Sequence, residues 1–153
     1  MFSKEEASKI RSEFWTKFGK MMAPHRSQGG AKVNWTNYKT GVKNIYFKMD
    51  VDSKKASIGI YLTHKDVEIQ EIYFQQFVDM KDYMQSILNE KWEWELNSRN
   101  EIGQVVSKIY IEKHGLNMFR KDNWADIYQF LQPRILKLDE FWDDTKEVFK
   151  SLA

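Results

Sequence analysis

Residues 45–62 read IYFKMDVDSKKASIGIYL, and the alternation of side chains in this stretch predicts a β-hairpin. Apolar residues occupy every second position from Ile45 to Val51 and again from Ala56 to Leu62. A period of two places apolar side chains on one face of a strand and polar side chains on the other. The turn-forming run Asp52-Ser53-Lys54 separates the two strands. We therefore expect an antiparallel hairpin that is covered on one side only.

The same alternation returns later in the chain and predicts a second hairpin. Apolar and polar residues alternate over residues 92–96 and again over residues 105–112. A polar stretch, residues 97–100, lies between them and is expected to turn the chain. Four strands in two hairpins are typical of an antiparallel sheet.

Apolar residues spaced three and four apart predict the helices. Helical patterns cover residues 3–22, residues 66–90 and the chain from Asn123 onward. The second helix is expected to bury Ile69 with its apolar stripe, whereas Pro133 either kinks the last helix or starts another. The predicted fold is a two-layer α+β protein of order α-ββ-α-ββ-α(α), with a four-stranded antiparallel sheet and helices on one face.

Length and composition narrow the class of protein. A chain of 153 residues with 42% apolar residues suits one globular domain, residues 1–153. The chain has no cysteine, which excludes disulfides, thiolate metal sites and cysteine nucleophiles. No apolar stretch is long enough for a transmembrane helix, and the first residues lack the pattern of a secretory signal. We expect a cytoplasmic protein that does not bind membranes.

Charge is distributed unevenly along the chain. No acidic residue occurs between Glu13 and Asp50, although this stretch carries seven Lys and Arg residues. Residues 1–65 contain 13 Lys and Arg against five Asp and Glu, whereas residues 66–153 contain 11 against 17. The formal net charge of +2 therefore hides a dipolar molecule, and the basic stretch is a candidate surface for an anionic partner.

A long polar loop, residues 24–43, supplies one set of candidate binding residues. Its cations attract phosphate, its amide side chains donate hydrogen bonds and its aromatic rings can stack on bases. The candidates in this loop are Arg26, Lys32, Trp35, Asn37, Tyr38, Lys39 and Lys43. In the alternative interpretation, which we favour for Trp35, the aromatic residues anchor the loop to the core and the lysines are merely solvated.

The polar face of the predicted sheet supplies a second set. Tyrosines and lysines on an open face would form a platform for stacking and phosphate binding. These candidates are Tyr46, Lys48, Tyr61, Lys108 and Tyr110. Alternatively, such residues are the usual occupants of half-exposed strands, or the first helix or a second subunit covers the face. Glu93 and Glu95 would share this face and repel phosphate locally.

The sequence offers no catalytic or metal site that we would assign. His64 and His114 each follow a second strand and could approach one another if the two halves pair symmetrically, but ordinary surface histidines are the favoured interpretation. Asp52-Ser53-Lys54 has the letters of a metal-dependent nuclease motif, yet it lies in the predicted hairpin turn. We expect no cofactor and no metal.

Several short runs resemble a known bacterial family, domain-of-unknown-function family 4268. They are Phe14-Trp15, Asn34-Trp35, Asn37-Tyr38-Lys39-Thr40-Gly41, Ile45-Tyr46-Phe47, Gln75-Gln76-Phe77 and Leu138-Asp139-Glu140-Phe141-Trp142. The resemblance covers nearly the whole chain. It implies no activity or catalytic residue. It does imply an association with DNA metabolism or defence, because members occur alone and also behind endonuclease-like domains.

These observations favour a non-catalytic binding module whose basic, aromatic surface receives an anionic partner, with nucleic acid preferred. One alternative is a metal-dependent nuclease-like enzyme built around Asp50, Asp52 and Lys54. Another is a homo-oligomer in which the basic half of one copy contacts the acidic half of another, an association that salt would weaken.

Overall fold

A computed structural model describes residues 2–152, and it contains a four-stranded antiparallel sheet. The strands are β1 (Ile45–Val51), β2 (Lys55–Leu62), β3 (Glu93–Arg99) and β4 (Val105–His114). Their order across the sheet is β1-β2-β4-β3, so each predicted hairpin forms and the second strands of the two hairpins pair in the centre. The predicted α+β fold is confirmed.

Four α-helices accompany the sheet: α1 (Lys4–Met22), α2 (Val67–Asp79), α3 (Lys81–Leu88) and α4 (Trp124–Lys150). Two short 3-10 turns, Trp35–Asn37 and Lys121–Asn123, precede β1 and α4. The predicted second helix is thus divided at Met80. Within residues 2–152, no helix is both long and apolar enough to cross a membrane.

The helix ends show why these segments are helical. At the start of α1, the Ser3 hydroxyl accepts from the Glu6 amide while the Glu6 carboxylate accepts from the Ser3 amide, a complete capping box. The last helix is continuous through Pro133. A proline there leaves the carbonyl of Gln129 without its helical donor, and Gln129 is exposed, so water can bind that carbonyl.

Helices α2 and α4 contact the apolar face of the sheet, and α1 packs on α4. The core between them is rich in aromatic rings. Phe14 of α1 lies 4.9 Å from Tyr128 of α4, and Phe77 of α2 lies 4.3 Å from Phe149 (ring centroids). Because α1 contacts α4 and the Trp35 turn, it does not serve as the cover for the polar face that we considered from the sequence.

Two residues predicted to be buried are exposed. Ile69 is 44% exposed because α2 turns Gln70 inward, where its side chain donates to the carbonyls of His64 and Val105. Leu96 is 47% exposed because an irregularity between Glu95 and Ser98 interrupts the alternation of β3. Strand β3 also continues to Arg99, through residues that we expected to form the turn.

Candidate functional site

The polar face of the sheet carries all five of its predicted candidates, because antiparallel pairing brings them into two neighbouring rows. One row across the sheet is Tyr46, Tyr61, Lys108 and Glu95; the next is Lys48, Gly59, Tyr110 and Glu93. Tyr46 and Lys48 belong to the edge strand β1 and are exposed. The alternation of the sequence therefore places these side chains together on the open side of the sheet.

The lysines on this face lie against the tyrosine rings. The Lys48 ammonium lies 5.3 Å from the ring centre of Tyr46 and 5.5 Å from that of Tyr61. The Lys108 ammonium lies 4.6 Å from the ring centre of Tyr110. These are cation–π distances, so each ammonium is held over a ring.

The face is not uniformly positive, because acidic residues lie on the β3 side. Lys108 lies 3.4 Å from the Glu95 carboxylate, which compensates its charge. Burial, together with the negative charge of Asp50 and other nearby acids, raises the pKa of Tyr61 to about 12. The pKa of Tyr110 is also raised, by burial and by the neighbouring glutamates. The Tyr61 phenol is therefore neutral at physiological pH and can donate a hydrogen bond to an anion, whereas the Tyr110 hydroxyl already bonds to Glu95.

A groove of about 180 Å³, which we call the sheet groove, lies on this face. Its cationic side chains are Lys48 from β1, Lys108 from β4 and Arg99 from β3, and Asp50 is its acidic one. Asn100 and Gln104 from the β3–β4 turn complete one wall. Sequence reasoning missed these last contributions, because the irregular pairing of β3 that brings the turn onto the face has no local sequence signal.

A second groove, the loop groove, lies beside β1 and has a volume of about 280 Å³. Residues 37–46 line it, and they include the predicted candidates Asn37, Lys39, Lys43 and Tyr46. Tyr46 is 44% exposed and carries Lys48 on its ring. Tyr46, which lines the loop groove, is therefore in contact with Lys48, which lines the sheet groove. Each groove is smaller than the roughly 300–1,000 Å³ of typical small-molecule pockets. We call the two neighbouring grooves together the track.

Trp35, a predicted binding residue, is an anchor instead. Its side chain is only 2% exposed, and its indole N–H donates to the His25 carbonyl over 3.1 Å. A ring in this position cannot stack on a partner. The structure therefore agrees with the alternative that we favoured for this residue.

Tyr38 also fastens the loop to the core. Its ring stacks on Phe47 at 5.0 Å between centroids, and its hydroxyl donates to the Asp139 carboxylate over 2.6 Å. Burial and the hydrogen bond to Asp139 raise the pKa of Tyr38, so its hydroxyl stays protonated and remains a donor. The other oxygen of Asp139 accepts from the Gln28 amide over 2.8 Å. Asp139 is 3% exposed, so one buried carboxylate of α4 holds two points of the loop.

The remaining loop candidates lie around this anchor. Lys32 and Lys39 line a pocket of about 230 Å³ together with Asp139 and Asp143. Arg26 is exposed and lines none of these three hollows. Arg26 therefore lies outside the track, and Lys32 lies beside acidic side chains of α4.

Several candidate cations lack an acidic partner within the described part of the chain. Among residues 2–152, the ion pairs within 4.0 Å do not include Arg26, Lys32, Lys39, Lys43 or Lys48. The acidic half of the chain therefore does not neutralise the basic stretch through close pairs. Its ammonium groups remain available to an anion.

The two histidines of the symmetric hypothesis do not meet. His114 pairs with Lys55 at the start of β2, whereas His64 follows the end of β2, about 30 Å away along an extended strand. His64 is buried and stacks on Tyr73 at 4.4 Å, which also makes its interpretation as a surface histidine wrong. Antiparallel pairing of β2 with β4 is the reason for the separation.

Asp52 has a structural role in the first hairpin. Its carboxylate accepts from the amides of Lys54 and Lys55 over 2.8 and 2.9 Å. Although burial acts to raise it, the pKa of Asp52 lies below its ordinary value because of these bonds and the two lysine charges. Asp52 thus holds the turn. No group of three side chains able to hold a metal ion occurs in residues 2–152.

Comparison with known proteins identifies the family. The family model described as Domain of unknown function (DUF4268) matches residues 10–146. The chain belongs to this family. The DUF4268 match spans both grooves and the Asp139 anchor, and it confirms the resemblance seen in the sequence. No curated protein and no solved structure matched the chain.

Proposed function

We propose that this DUF4268 protein is a binding module for single-stranded nucleic acid. The observation that carries the proposal is the contact between the two grooves: the exposed ring of Tyr46 lines the loop groove together with Lys43, and Lys48 of the sheet groove lies 5.3 Å from the centre of that ring. Alternating aromatic rings and cations are what non-specific single-strand binding requires, because bases stack on the rings and phosphates follow the charges.

The distribution of charge supports a path along β1. Lys39, Lys43 and Lys48 have no close acidic partner in the described residues, whereas Lys108 is compensated by Glu95. Glu93 lies in the next row beside Tyr110. A phosphate backbone is therefore attracted to the β1 side and repelled from the β3 side.

The shape of the surface favours an unpaired strand. The rings of Tyr46, which is exposed, and Tyr61, which is half-buried, lie on the open face beside the two small grooves. Bases inside a duplex cannot present their flat faces to such rings, whereas unstacked bases can. The neutral phenol of Tyr61 adds a hydrogen-bond donor for a phosphate or a base edge.

A salt titration tests the proposal. Fluorescence anisotropy of a labelled DNA oligonucleotide should show binding whose log K falls with log salt at about −0.7 per phosphate contact. The double substitution Lys39→Glu with Lys43→Glu should weaken binding and reduce that slope by about 1.4 for two lost contacts. Tyr46→Ala should cost about 1–3 kcal/mol of binding free energy, since one stacked base is lost.

The matched control is Lys4→Glu with Lys9→Glu, which changes the net charge equally on the exposed face of α1. It should leave the slope nearly unchanged. Equal weakening by both double variants would show that only overall charge matters. No binding of wild-type protein at low salt would refute the proposal.

A further inference from the structure

The two edges of the sheet differ in their capacity to accept another strand. Strand β3 forms one edge, and its pairing is irregular between Glu95 and Ser98. Strand β1 forms the other edge and pairs with β2 in unbroken register from Ile45 to Val51. Irregular edges resist further pairing, whereas a regular edge presents a row of backbone groups to a partner. The β1 edge is therefore the one suited to association.

The hydrogen bonds around the first hairpin show which β1 groups face outward. The Thr63 amide donates to the Asn44 carbonyl, and the Asp52 amide donates to the Lys55 carbonyl. Both bonds continue the β1–β2 pairing at its two ends, so both are hydrogen-bonded pairs. Because hydrogen-bonded positions alternate in an antiparallel pair, Tyr46, Lys48 and Asp50 direct their backbone groups toward β2. The backbone groups of Ile45, Phe47, Met49 and Val51 consequently point away from the sheet.

The backbone groups of one of these four residues already have hydrogen-bond partners. The Ile45 amide donates to the Val42 carbonyl over 3.3 Å, and the Ile45 carbonyl accepts from the Thr40 hydroxyl over 2.8 Å. The loop before β1 thus closes the first position of the edge. Three outward-facing residues remain: Phe47, Met49 and Val51.

We propose that β1 pairs antiparallel with β1 of a second copy, across a two-fold axis at Met49. In this register Phe47 faces Val51 of the second copy and Met49 faces its own counterpart. Phe47, Met49 and Val51 then lie in hydrogen-bonded pairs on both strands, and the pairing does not use the backbone groups of Ile45, which already have partners. Isologous contacts of this kind are the commonest way in which identical chains associate.

Charge complementarity selects the same register. On the polar face, Lys48 lies opposite Asp50 of the second copy, and the two-fold axis repeats this pair. Neither residue has an ion-pair partner in the monomer among residues 2–152. A shift of the axis to Lys48 would instead place Lys48 opposite Lys48 and would require the occupied groups of Ile45. Like charges directly opposite one another are unfavourable.

The side chains of the apolar face add to the pairing. Met49 and Val51 pack on the core but are only half-buried, because β1 has no neighbour on its outer side. In the proposed pair they meet Met49 and Phe47 of the second copy. The result is an eight-stranded sheet whose two open faces are continuous. This association needs no nucleic acid and is therefore testable independently of the proposed function.

Sedimentation equilibrium without nucleic acid, over a wide range of protein concentration, tests the proposal. Wild-type protein should form dimers. Asp50→Lys should raise the dimer dissociation constant about tenfold or more, because each dimer replaces two attractive pairs by two repulsive ones. The exchange Lys48→Asp with Asp50→Lys should restore dimerisation, since both pairs return with reversed sign.

A backbone variant separates edge pairing from general charge attraction. Met49→Pro removes an outward amide that has no partner within the monomer, a substitution that edge strands tolerate. It should abolish the dimer while the circular dichroism spectrum stays native. If this variant does not fold, the Asp50→Lys and exchange variants decide the matter.

Three results would overturn the inference. The first is wild-type protein that remains monomeric up to millimolar concentration. The second is an exchange variant that dimerises no better than Asp50→Lys. The third is a folded Met49→Pro variant that still dimerises, which would place the contact elsewhere, for example between the basic and acidic halves of two copies. Sedimentation is measured without nucleic acid, whereas the proposed function is tested by oligonucleotide anisotropy of the wild-type protein, so the failure of this inference is distinguishable from failure of the proposed function.

Discussion

Removal of the Asp139 carboxylate should detach the loop of residues 24–43 from α4. Asp139 accepts from the Tyr38 hydroxyl over 2.6 Å and from the Gln28 amide over 2.8 Å, and it is 3% exposed. In Asp139→Ala both donors lose their acceptor. Since Tyr38 lies between Asn37 and Lys39, we expect the loop groove to lose its fixed shape as well as its anchor.

The magnitude follows from the two bonds. A hydrogen bond to a charged group contributes ~1.5–3 kcal/mol, so the loss of two such bonds should lower the free energy of unfolding by about 3 kcal/mol or more. For a domain of this size, that corresponds to a fall in Tm of about 6–12 °C. Tyr38→Phe removes only one bond and keeps the ring on Phe47, so about half of this effect is expected.

Thermal and urea unfolding followed by circular dichroism measure these changes. The control is Asp143→Asn, one helical turn along α4, which removes a half-buried carboxylate that accepts no hydrogen bond in the described residues. Asp143→Asn should change the free energy of unfolding by no more than about 0.5 kcal/mol. In the double variant of Tyr38→Phe with Asp139→Ala, the effects should not add, because both substitutions break the same bond.

Two results would refute this reasoning. The first is an Asp139→Ala variant with the same Tm as Asp143→Asn. The second is strict additivity in the double variant, which would mean that Tyr38 and Asp139 stabilise the protein independently. Oligonucleotide affinity gives a further readout, because Asp139→Ala should weaken binding although Asp139 itself lies beneath the surface.

Two further predictions concern the sheet and its neighbours. A methyl group at Gly59 would lie 2.6 Å from the Tyr110 Cβ and 2.7 Å from the Ile109 carbonyl oxygen. Gly59→Ala should therefore lower the free energy of unfolding by about 3 kcal/mol. The control, Gly19→Ala in α1, should be neutral or stabilising. Equal Tm values for the two variants would contradict this. Burial lowers the pKa of His64 below its ordinary 6.5, so the unfolded chain takes up the proton more readily and stability should fall as the pH drops below about 6.5. His64→Phe keeps a ring against Tyr73 and should lose less stability as the pH drops, as measured by urea unfolding at several pH values. An unchanged pH profile would assign the pH dependence to other groups.

The sequence was most informative where the structure depends on local periodicity. Strict alternation in residues 45–62 determined the hairpin and the face on which Tyr46, Lys48 and Tyr61 lie. A side chain's face in a regular strand depends only on its position along that strand, so no tertiary information was needed. The same argument failed for Leu96, because the irregularity in β3 changes the alternation and depends on pairing with β4.

The loop illustrates what periodicity cannot supply. Residues 24–43 have no repeating pattern, so the sequence could not distinguish an exposed Trp35 from an anchored one. The deciding partners lie far away in the chain: Asp139 of α4 holds Tyr38 and Gln28. Likewise, Arg99 reaches the sheet groove only because β3 pairs with β4.

By itself, then, the sequence determined the class of fold, the two hairpins and the uneven distribution of charge. Tertiary structure alone decided which of the basic and aromatic residues lie around the two grooves and which are anchors. The physical reason is the range of the interactions involved. Strand and helix patterns arise between near neighbours in the chain, whereas a surface track is assembled from segments that only packing of the core brings together.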